Sequence, residues 1–191
     1  MLVFAAVVCE EPREKRTIEI DETLFKRIGE GEKRAFCELY EQTGNAVFSY
    51  ALSLLRNRED AEDAMQETFL KIRSAAHLYQ PMGKPMAWVL TIARNVCLMK
   101  FRQKKHDSSI PLEEVKENLD CSQIQEEEDR LILETAFRIL SKEECQIIIL
   151  HAVSGLKHRE ISGILHLPLS TVLSKYNRGI KKLRAQLEET L

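Results

Sequence analysis

The apolar positions near the C-terminus predict two helices separated by a tight turn. Apolar residues fall on one face of the first helix, at Ile161, Ile164 and Leu165. Gly163 is small enough to allow another helix to approach this one closely. Pro168 cannot continue a helix and biases the preceding residue toward extended geometry, so we expect a turn over residues 166–169. The second helix has a single apolar stripe, formed by Val172, Tyr176, Ile180, Leu183 and Leu187.

The opposite face of the second helix is polar and basic. Ser170 and Thr171 are good helix openers, since a side-chain oxygen can cap the first free amides. The face then continues with Thr171, Ser174, Lys175, Arg178, Lys181 and Lys182. A DNA-reading helix-turn-helix places its N-terminal side chains against base edges and its later cations against phosphates. A helical hairpin with a solvated basic face is the alternative interpretation.

Helical periodicity also covers the N-terminal half of the chain. A helix from Asp21 is interrupted at Gly29 and Gly31 and is expected to end at Gly44, and a core helix follows over residues 45–57. Asn57 can cap the next helix, which runs to residue 74. Its inner stripe is Ala61, Ala64, Met65, Thr68, Phe69 and Ile72. Its outer face is Glu62, Asp63, Gln66 and Glu67, which indicates either a solvated surface or a docking face for a basic protein partner.

A fourth helix is expected to begin at Pro85, after a loop with turn residues over 81–83. Its inward stripe is predicted as Trp88, Val89, Ile92, Val96 and Met99. Trp88 is therefore interpreted as a core anchor in preference to a base-stacking residue. The opposite face carries Arg94, Asn95 and Arg102, and this second basic surface strengthens the case for nucleic acid.

An acidic connector divides the chain into two helical domains. Residues 113–134 include nine acidic residues, and Lys116 and Arg130 are the only basic residues among them. This segment should therefore repel DNA. Beyond it, Ser141 and Glu144 form an S-x-x-E capping box for a helix expected to bury Cys145, Ile148, Ile149 and Ala152 and to stop at Gly155. The predicted organisation is a leader over 1–17, a domain over 18–105, a flexible linker over 106–126 and a helix-turn-helix domain over 127–188.

Composition narrows the class to an all-α protein without a cofactor. The 191 residues are 44% hydrophobic and include only 7 Gly and 5 Pro, while strand-like alternation is nearly absent. The five cysteines stand far apart, which argues against a zinc site or a disulfide framework. The five histidines show no spacing with a nucleophile or carboxylate that indicates an enzyme. The apolar first eight residues lack a basic flank and are too short to span a bilayer, so a cytoplasmic protein is expected.

The order of these motifs resembles the extracytoplasmic-function sigma factors of bacterial RNA polymerase. The resemblance rests on DAEDAMQETFLKI, on the Trp-bearing PMAWVLTIARN helix, on the acidic linker and on LPLSTVLSKYNRGIKKL. It covers about residues 20–188. It implies two small helical domains, regions 2 and 4 of a sigma factor, and a role in promoter-specific initiation of transcription.

The resemblance also assigns roles to particular residues. The acidic helix would dock on the clamp helices of the largest polymerase subunit through Glu62, Asp63, Gln66 and Glu67. Capture of the melted −10 element would fall to Tyr79, Lys84, Trp88, Arg94, Asn95 and Arg102. The −35 element would be read through Ser170, Thr171, Leu173, Ser174, Lys175, Arg178, Lys181 and Lys182. Core polymerase (clamp helices and flap), promoter DNA and, as often in the family, an anti-sigma factor are the expected partners of a chain that is monomeric when free.

Two positions depart from the family pattern, and two other functions stay open. Met99 stands where an acid is common and is expected to extend the packing stripe, whereas Leu173 replaces a common cation and could contact a thymine methyl. A helix-turn-helix repressor or activator would be a dimer on a palindromic operator. A polymerase-binding module that does not read DNA would fit the net charge of −2.

Overall fold

The computed structural model describes residues 18–107 and 137–188, which belong to two compact units considered separately below. The expected leader over 1–17, most of the expected linker and residues 127–136 lie outside the described residues. Every regular element in the described residues is helical, as the all-α prediction requires.

Over residues 18–107, the described part of the first unit, the chain forms four α-helices and one short 3-10 turn. The helices are α1 (Thr23–Gly29), α2 (Lys33–Leu55), α3 (Arg58–Ala75) and α4 (Pro85–Asp107), and the turn spans Ala76–Leu78. Helices α2, α3 and α4 pack on one another, and α1 packs on α2 and on the 3-10 turn. The core is therefore a three-helix layer that α1 closes at one end.

The prediction that Gly44 ends a helix is wrong. Helix α2 runs through Gly44 without a break, and residues 46–54 are all buried. A glycine within a helix costs about 1 kcal/mol relative to alanine, whereas burying one large apolar side chain gains about 1.5–3 kcal/mol. Packing outweighs the local preference here. The helix ends instead at Leu55, and the next residue, Arg56, has a left-handed φ of 55°. Asn57 then caps α3 by accepting the Asp60 amide at 3.0 Å, as predicted.

The inner stripe of α3 is confirmed, whereas that of α4 is predicted only in part. In α3 the buried residues are Ala61, Ala64, Thr68, Phe69 and Ile72, with Met65 half-buried. In α4 the buried residues are Met86, Val89, Leu90, Ala93, Val96 and Cys97. Because α4 packs on both α2 and α3, its apolar arc is wider than one stripe and is rotated away from Met99, which is 36% exposed. The expectation that Met99 extends the packing stripe is therefore wrong.

The second unit contains α5 (Lys142–Ala152), α6 (His158–Leu165) and α7 (Leu169–Glu188), preceded by helical residues 137–139. Helix α7 packs on both α5 and α6. The capping box is confirmed: the Ser141 amide donates to Glu144 Oε2 at 3.0 Å, and the Glu144 amide donates to Ser141 Oγ at 3.4 Å. Helix α5 ends at Ala152, which is half-buried, three residues before the predicted stop at Gly155.

The turn between α6 and α7 lies where the sequence predicts it. His166 adopts a left-handed φ of 55°, and the Leu167 amide donates to the Ser162 carbonyl at 3.2 Å, which closes α6 before Pro168. Helix α7 begins at Leu169, so Ser170 and Thr171 lie within its first turn instead of preceding the helix as caps. The inner stripe of α7 is confirmed at Val172, Ile180 and Leu183, which are buried, while Tyr176 is half-buried and the Leu187 side chain lies outside the described part.

The close helix approach occurs at Gly179 and not at Gly163. A Cβ added at Gly179 would lie 2.6 Å from Cδ1 of Ile148 on α5, whereas a Cβ added at Gly163 would meet nothing within 4 Å. Gly163 is exposed, so the role predicted for it is wrong. The absence of a side chain at position 179 is what allows α7 to lie directly on α5.

We expect Gly179→Ala to destabilise the second unit even though alanine is the better helix former. The new methyl would overpack the contact with Ile148, and overpacking a core costs about 1–3 kcal/mol, against about 1 kcal/mol gained from helix propensity. Gly163→Ala is the matched control and should stabilise by about 0.5–1 kcal/mol. Thermal and denaturant unfolding of both variants checks this.

Ile148→Val tests the cause of that loss, because it removes the Cδ1 atom that the new methyl would meet. The double variant Gly179→Ala/Ile148→Val should be more stable than the sum of the two single losses predicts. Strict additivity would contradict the steric explanation.

Candidate nucleic-acid interface

The outer surface of α7 presents the polar residues predicted for it. Ser170, Leu173, Ser174, Arg178, Lys181 and Lys182 are exposed, and Thr171 and Lys175 are half-buried. The Ser174 hydroxyl donates to the Ser170 carbonyl at 2.8 Å, one turn earlier, so its hydrogen is used in a hydrogen bond within the helix. Leu173 is 40% exposed, so an apolar side chain stands in the middle of this polar surface.

Three of the cations predicted on α7 form ion pairs with the first turn of α5. Lys175 Nζ lies 2.5 Å from Glu143 Oε2, and Lys182 Nζ lies 2.6 Å from Glu144 Oε2. Arg178 Nε lies 3.5 Å from Glu144 Oε1. Positions 175, 178 and 182 follow the three- and four-residue spacing of one helix face, so they meet the same end of α5.

Glu144 is the node of this network. Its side chain is only 4% exposed, and it both caps α5 and receives two cations from α7. Burial alone would raise the pKa of Glu144, but hydrogen bonds from Lys182 and from Ser141 outweigh burial and lower the pKa below its ordinary value. The carboxylate is therefore held in its charged form.

A small aromatic cluster joins α5, α6 and α7. The His151 and His158 rings stack with centroids 4.5 Å apart, and Tyr176 meets both edges-on at 5.0 and 4.6 Å. His151 Nδ1 lies 2.8 Å from the Leu156 carbonyl, which can only accept, so this nitrogen carries the hydrogen. His151 is thus a packed histidine, and burial raises the pKa of Tyr176.

In the first unit, the candidate residues of α4 separate into exposed and packed groups. Asn95, Arg102 and Lys84 are exposed, and Arg94 is half-buried. Trp88 and Tyr79 instead share a cluster with Phe25, with Phe25–Tyr79 centroids 4.1 Å apart and Tyr79–Trp88 centroids 5.2 Å apart. Burial and the neighbouring Glu22 carboxylate raise the pKa of Tyr79 to about 12.

This packing makes Trp88 a core anchor and fixes both ends of the loop between the 3-10 turn and α4. Tyr79 begins the loop and α4 follows it, so the aromatic cluster holds the loop at its base. Residues 80–84 are all exposed, with Met82 at 74% and Gly83 at a φ of 68°. The loop tip is thus presented to solvent from a rigid base.

The acidic face of α3 is partly neutralised by neighbouring cations. Glu62 pairs with Arg58 at 2.7 Å and Glu67 pairs with Lys71 at 3.0 Å. Asp63, with 67% of its side chain exposed, lies 3.6 Å from Lys100 of α4. Asp63 and Gln66 are the exposed members of the face.

Sequence reasoning missed Glu143 and Lys100 as partners of the candidate residues and recognised Glu144 only as a helix cap. The capping-box motif identifies which carboxylate caps its own helix, but it does not identify the residues of α7 that pair with this carboxylate. The spacing of cations on α7 was a signal that one face bears charge, and only the tertiary packing shows which acids meet them.

Metal-ligating clusters are absent from the described residues. Across residues 18–107 and 137–188 no group of three His, Cys, Asp or Glu side chains is placed to hold a metal ion. No described helix is long and apolar enough to cross a membrane.

We expect Glu144→Gln to lower the free energy of unfolding of the second unit near neutral pH by about 1–3 kcal/mol, as for loss of hydrogen bonds to a charged group. Glutamine retains the capping geometry, so the loss reports the ion pairs. Because the pKa of Glu144 is lowered on folding, its contribution is complete above the ordinary value of 4.5 and fades as pH falls through the folded pKa. The difference in free energy of unfolding between wild type and Glu144→Gln should therefore disappear at acidic pH.

Glu160→Gln is the matched control, since Glu160 accepts the Lys157 amide at 2.8 Å in the corresponding box of α6. In urea unfolding, Glu160→Gln should lower the free energy of unfolding by less than Glu144→Gln does. A stability difference between wild type and Glu144→Gln that keeps the same size at every pH would refute the role of the carboxylate charge.

Comparison with known proteins places both units in one family. The family model for Sigma-70 region 2 matches residues 39–106, and that for Sigma-70 region 4 matches residues 130–183. The sigma factor SigK of Mycobacterium ulcerans is 28% identical over 173 residues, covering 86% of this chain and 92% of that protein. The sigma factor SigE of Mycolicibacterium smegmatis is 30% identical over 159 residues, covering 78% of this chain and 60% of that protein.

Two solved structures share the fold. CnrH in complex with the cytosolic domain of CnrY has a TM-score of 0.61 at 22% identity, covering 88% of this chain and 97% of that one. The sigma factor RpoE of Bartonella quintana, bound to the anti-sigma factor NepR, has a TM-score of 0.62 at 21% identity, covering 81% and 98%. With both sigma regions matched in order, the chain belongs to the extracytoplasmic-function sigma factors and is an alternative sigma factor that directs initiation of transcription.

Proposed function

We propose that the two units divide promoter recognition between them, with α7 reading the −35 element and α4 with its preceding loop capturing the −10 element. The observation that carries this proposal is the surface of α7, where an exposed polar first turn is followed by cations on the same helix. A recognition helix in the major groove needs this order, since its N-terminal side chains meet base edges and its later cations meet phosphates.

In the −35 contact, Ser170, Thr171, Leu173 and Ser174 face the bases. The hydroxyls of Ser170 and Thr171 can donate to or accept from a base edge, and exposed Leu173 favours a thymine methyl. Ser174 can accept from a base while its own hydrogen is donated to the Ser170 carbonyl. The backbone contacts fall to Lys175, Arg178, Lys181 and Lys182. Lys181 is exposed and supplies a phosphate contact at the far end of the helix.

In the −10 contact, the loop and the outer face of α4 act on a melted strand. Asn95 offers both an amide donor and an acceptor to an unpaired base edge, and Arg94, Arg102 and Lys84 lie nearby in sequence to meet the backbone. Trp88 and Tyr79 contribute by holding the loop, because their rings are packed together with Phe25. A rigid base lowers the entropy lost when the exposed loop tip binds a flipped base.

Core polymerase is bound through α3. Asp63 and Gln66 are the exposed contacts with the clamp helices, while Glu62 and Glu67 add negative charge already balanced by Arg58 and Lys71. Docking through α3 and the flap tethers two weak DNA contacts to one large partner, which raises their effective concentration. The free protein is accordingly a cytoplasmic monomer with weak promoter affinity.

An anti-sigma factor is a further proposed partner. Support comes from the two structural relatives, since one is bound to the cytosolic domain of CnrY and the other to the anti-sigma factor NepR.

The test of the proposed function is run-off transcription with purified core polymerase on a library of promoter fragments. Transcripts that start only when this protein is added are expected, and their shared upstream sequences should show a −35 and a −10 element. Duplex binding by the protein alone, without added transcripts and at a palindromic site, would instead indicate a repressor.

Asn95→Ala should reduce strand opening more than it reduces recruitment to duplex promoter. Loss of one amide contact to a base is expected to lower permanganate reactivity at the melted thymines by about tenfold, within the roughly 1–3 kcal/mol that leaving a polar group without its hydrogen-bond partner costs. Gln42→Ala removes an exposed amide from α2 of the same unit and should leave the reactivity unchanged. Wild-type reactivity in Asn95→Ala would overturn the assignment.

A further inference from the structure

The first turn of α5 lies against the cations that the proposed function assigns to DNA. Of the four cations on the outer surface of α7, Lys175, Arg178 and Lys182 are each within 4.0 Å of a carboxylate of Glu143 or Glu144. A phosphate approaching α7 must therefore compete with an acid of the protein's own chain for the same ammonium or guanidinium group.

The two acids differ in how freely they can release their cations. Glu144 is 4% exposed, caps α5 and serves two cations, so its position is part of the fold. Glu143 is 56% exposed and pairs with Lys175 alone among the described contacts, at 2.5 Å. Lys175 is the earliest cation of α7 and directly follows Ser174, the last of the residues proposed to face the bases. Only 23% of its side chain is exposed.

We propose that Glu143 acts as an internal competitor of the DNA backbone for Lys175 and so limits the affinity of α7 for duplex DNA. This inference rests on the proposed function of α7. A phosphate gains Lys175 only by displacing Glu143, which then faces solvent and offsets part of the gain. Glu143 is thus a positioning residue that keeps Lys175 against α5 until DNA is held close.

This arrangement suits a protein that must find polymerase before it finds a promoter. Non-specific DNA binding arises almost entirely from cation–phosphate contacts, so withholding Lys175 weakens non-specific and specific duplex binding together. Once polymerase positions the second unit over the promoter, effective concentration makes up for the weaker contact. The pair therefore makes DNA binding by α7 more dependent on polymerase.

The experiment compares full-length wild type, Glu143→Gln, Lys175→Ala and the double variant for binding to a fluorescently labelled mixed-sequence duplex at low salt, followed by anisotropy. Glu143→Gln should bind about two- to fivefold more tightly, the range that loss of one exposed ion pair allows. In the Lys175→Ala background the same change should have no effect on affinity, because the ammonium group for which Glu143 and the phosphate compete is absent.

Glu160→Gln controls for charge, since it removes one negative charge from the same unit at a residue that caps α6. It should leave DNA affinity close to wild type. Tightening by Glu143→Gln that persists in the Lys175→Ala background, or that Glu160→Gln reproduces, would mean a general charge effect and would overturn the inference.

Lys181→Ala separates failure of this inference from failure of the proposed function. If α7 contacts DNA, loss of Lys181 should weaken binding and lower the slope of log affinity against log salt by about 0.9. A weakened Lys181→Ala with an unchanged Glu143→Gln would refute the competition and leave α7 as the reading helix. No change in either variant would refute DNA binding by this face of α7.

Discussion

The contact between α7 and α5 is the constraint on which the second unit depends. Gly179 removes the side chain that would keep the helices apart, and Ile148 fills the space. At the end of that contact, Glu144 closes the first turn of α5 and anchors Lys182 and Arg178. Burying a carboxylate with one partner would leave much of its desolvation cost uncompensated. The Glu144 carboxylate instead caps a helix and pairs with two cations, and these interactions offset that cost. The packing of α7 against α5 thus depends on one glycine and one glutamate.

In the first unit, aromatic packing has the corresponding role. Phe25 of α1 contacts both Tyr79 and Trp88, so a residue distant in sequence packs on the two aromatic residues that flank one loop. The exposed tip of that loop needs no hydrogen-bonded structure of its own, because its two ends are already held. The buried run in α2 provides the surface on which α3 and α4 lie, and it is strong enough to carry a glycine in mid-helix. In both units, exposed polar side chains are positioned by packed residues beneath them: the aromatic cluster in the first unit and the α7–α5 contact in the second.

Periodicity and capping chemistry predicted most of the helices, the capping box at Ser141 and the turn at His166, because these depend on neighbours in sequence. The errors concern tertiary packing. Local preference predicts a helix end at Gly44, but burial of the surrounding residues outweighs it. The small size of Gly163 predicts a close helix approach, but this residue is exposed. Met99 was assigned to a stripe of fixed width, but α4 meets two helices at once. For the site, the sequence located the charged faces, yet the pairing of Lys175 with Glu143 and of Lys100 with Asp63 depends on contacts across the fold that no local pattern encodes.

The separation of roles along α7 has a consequence for how such proteins diverge. Stability lies on the inner side, where the side chains of Val172, Ile180 and Leu183 are buried and Gly179 allows the contact with α5. Ser170, Leu173 and Ser174 are exposed, and no core packing depends on them. Substitutions at these three positions are therefore nearly free of a folding penalty. With the proposed −35 contact at these positions, a duplicated copy of this chain would acquire a new set of target genes through a few surface changes, without passing through an unstable intermediate.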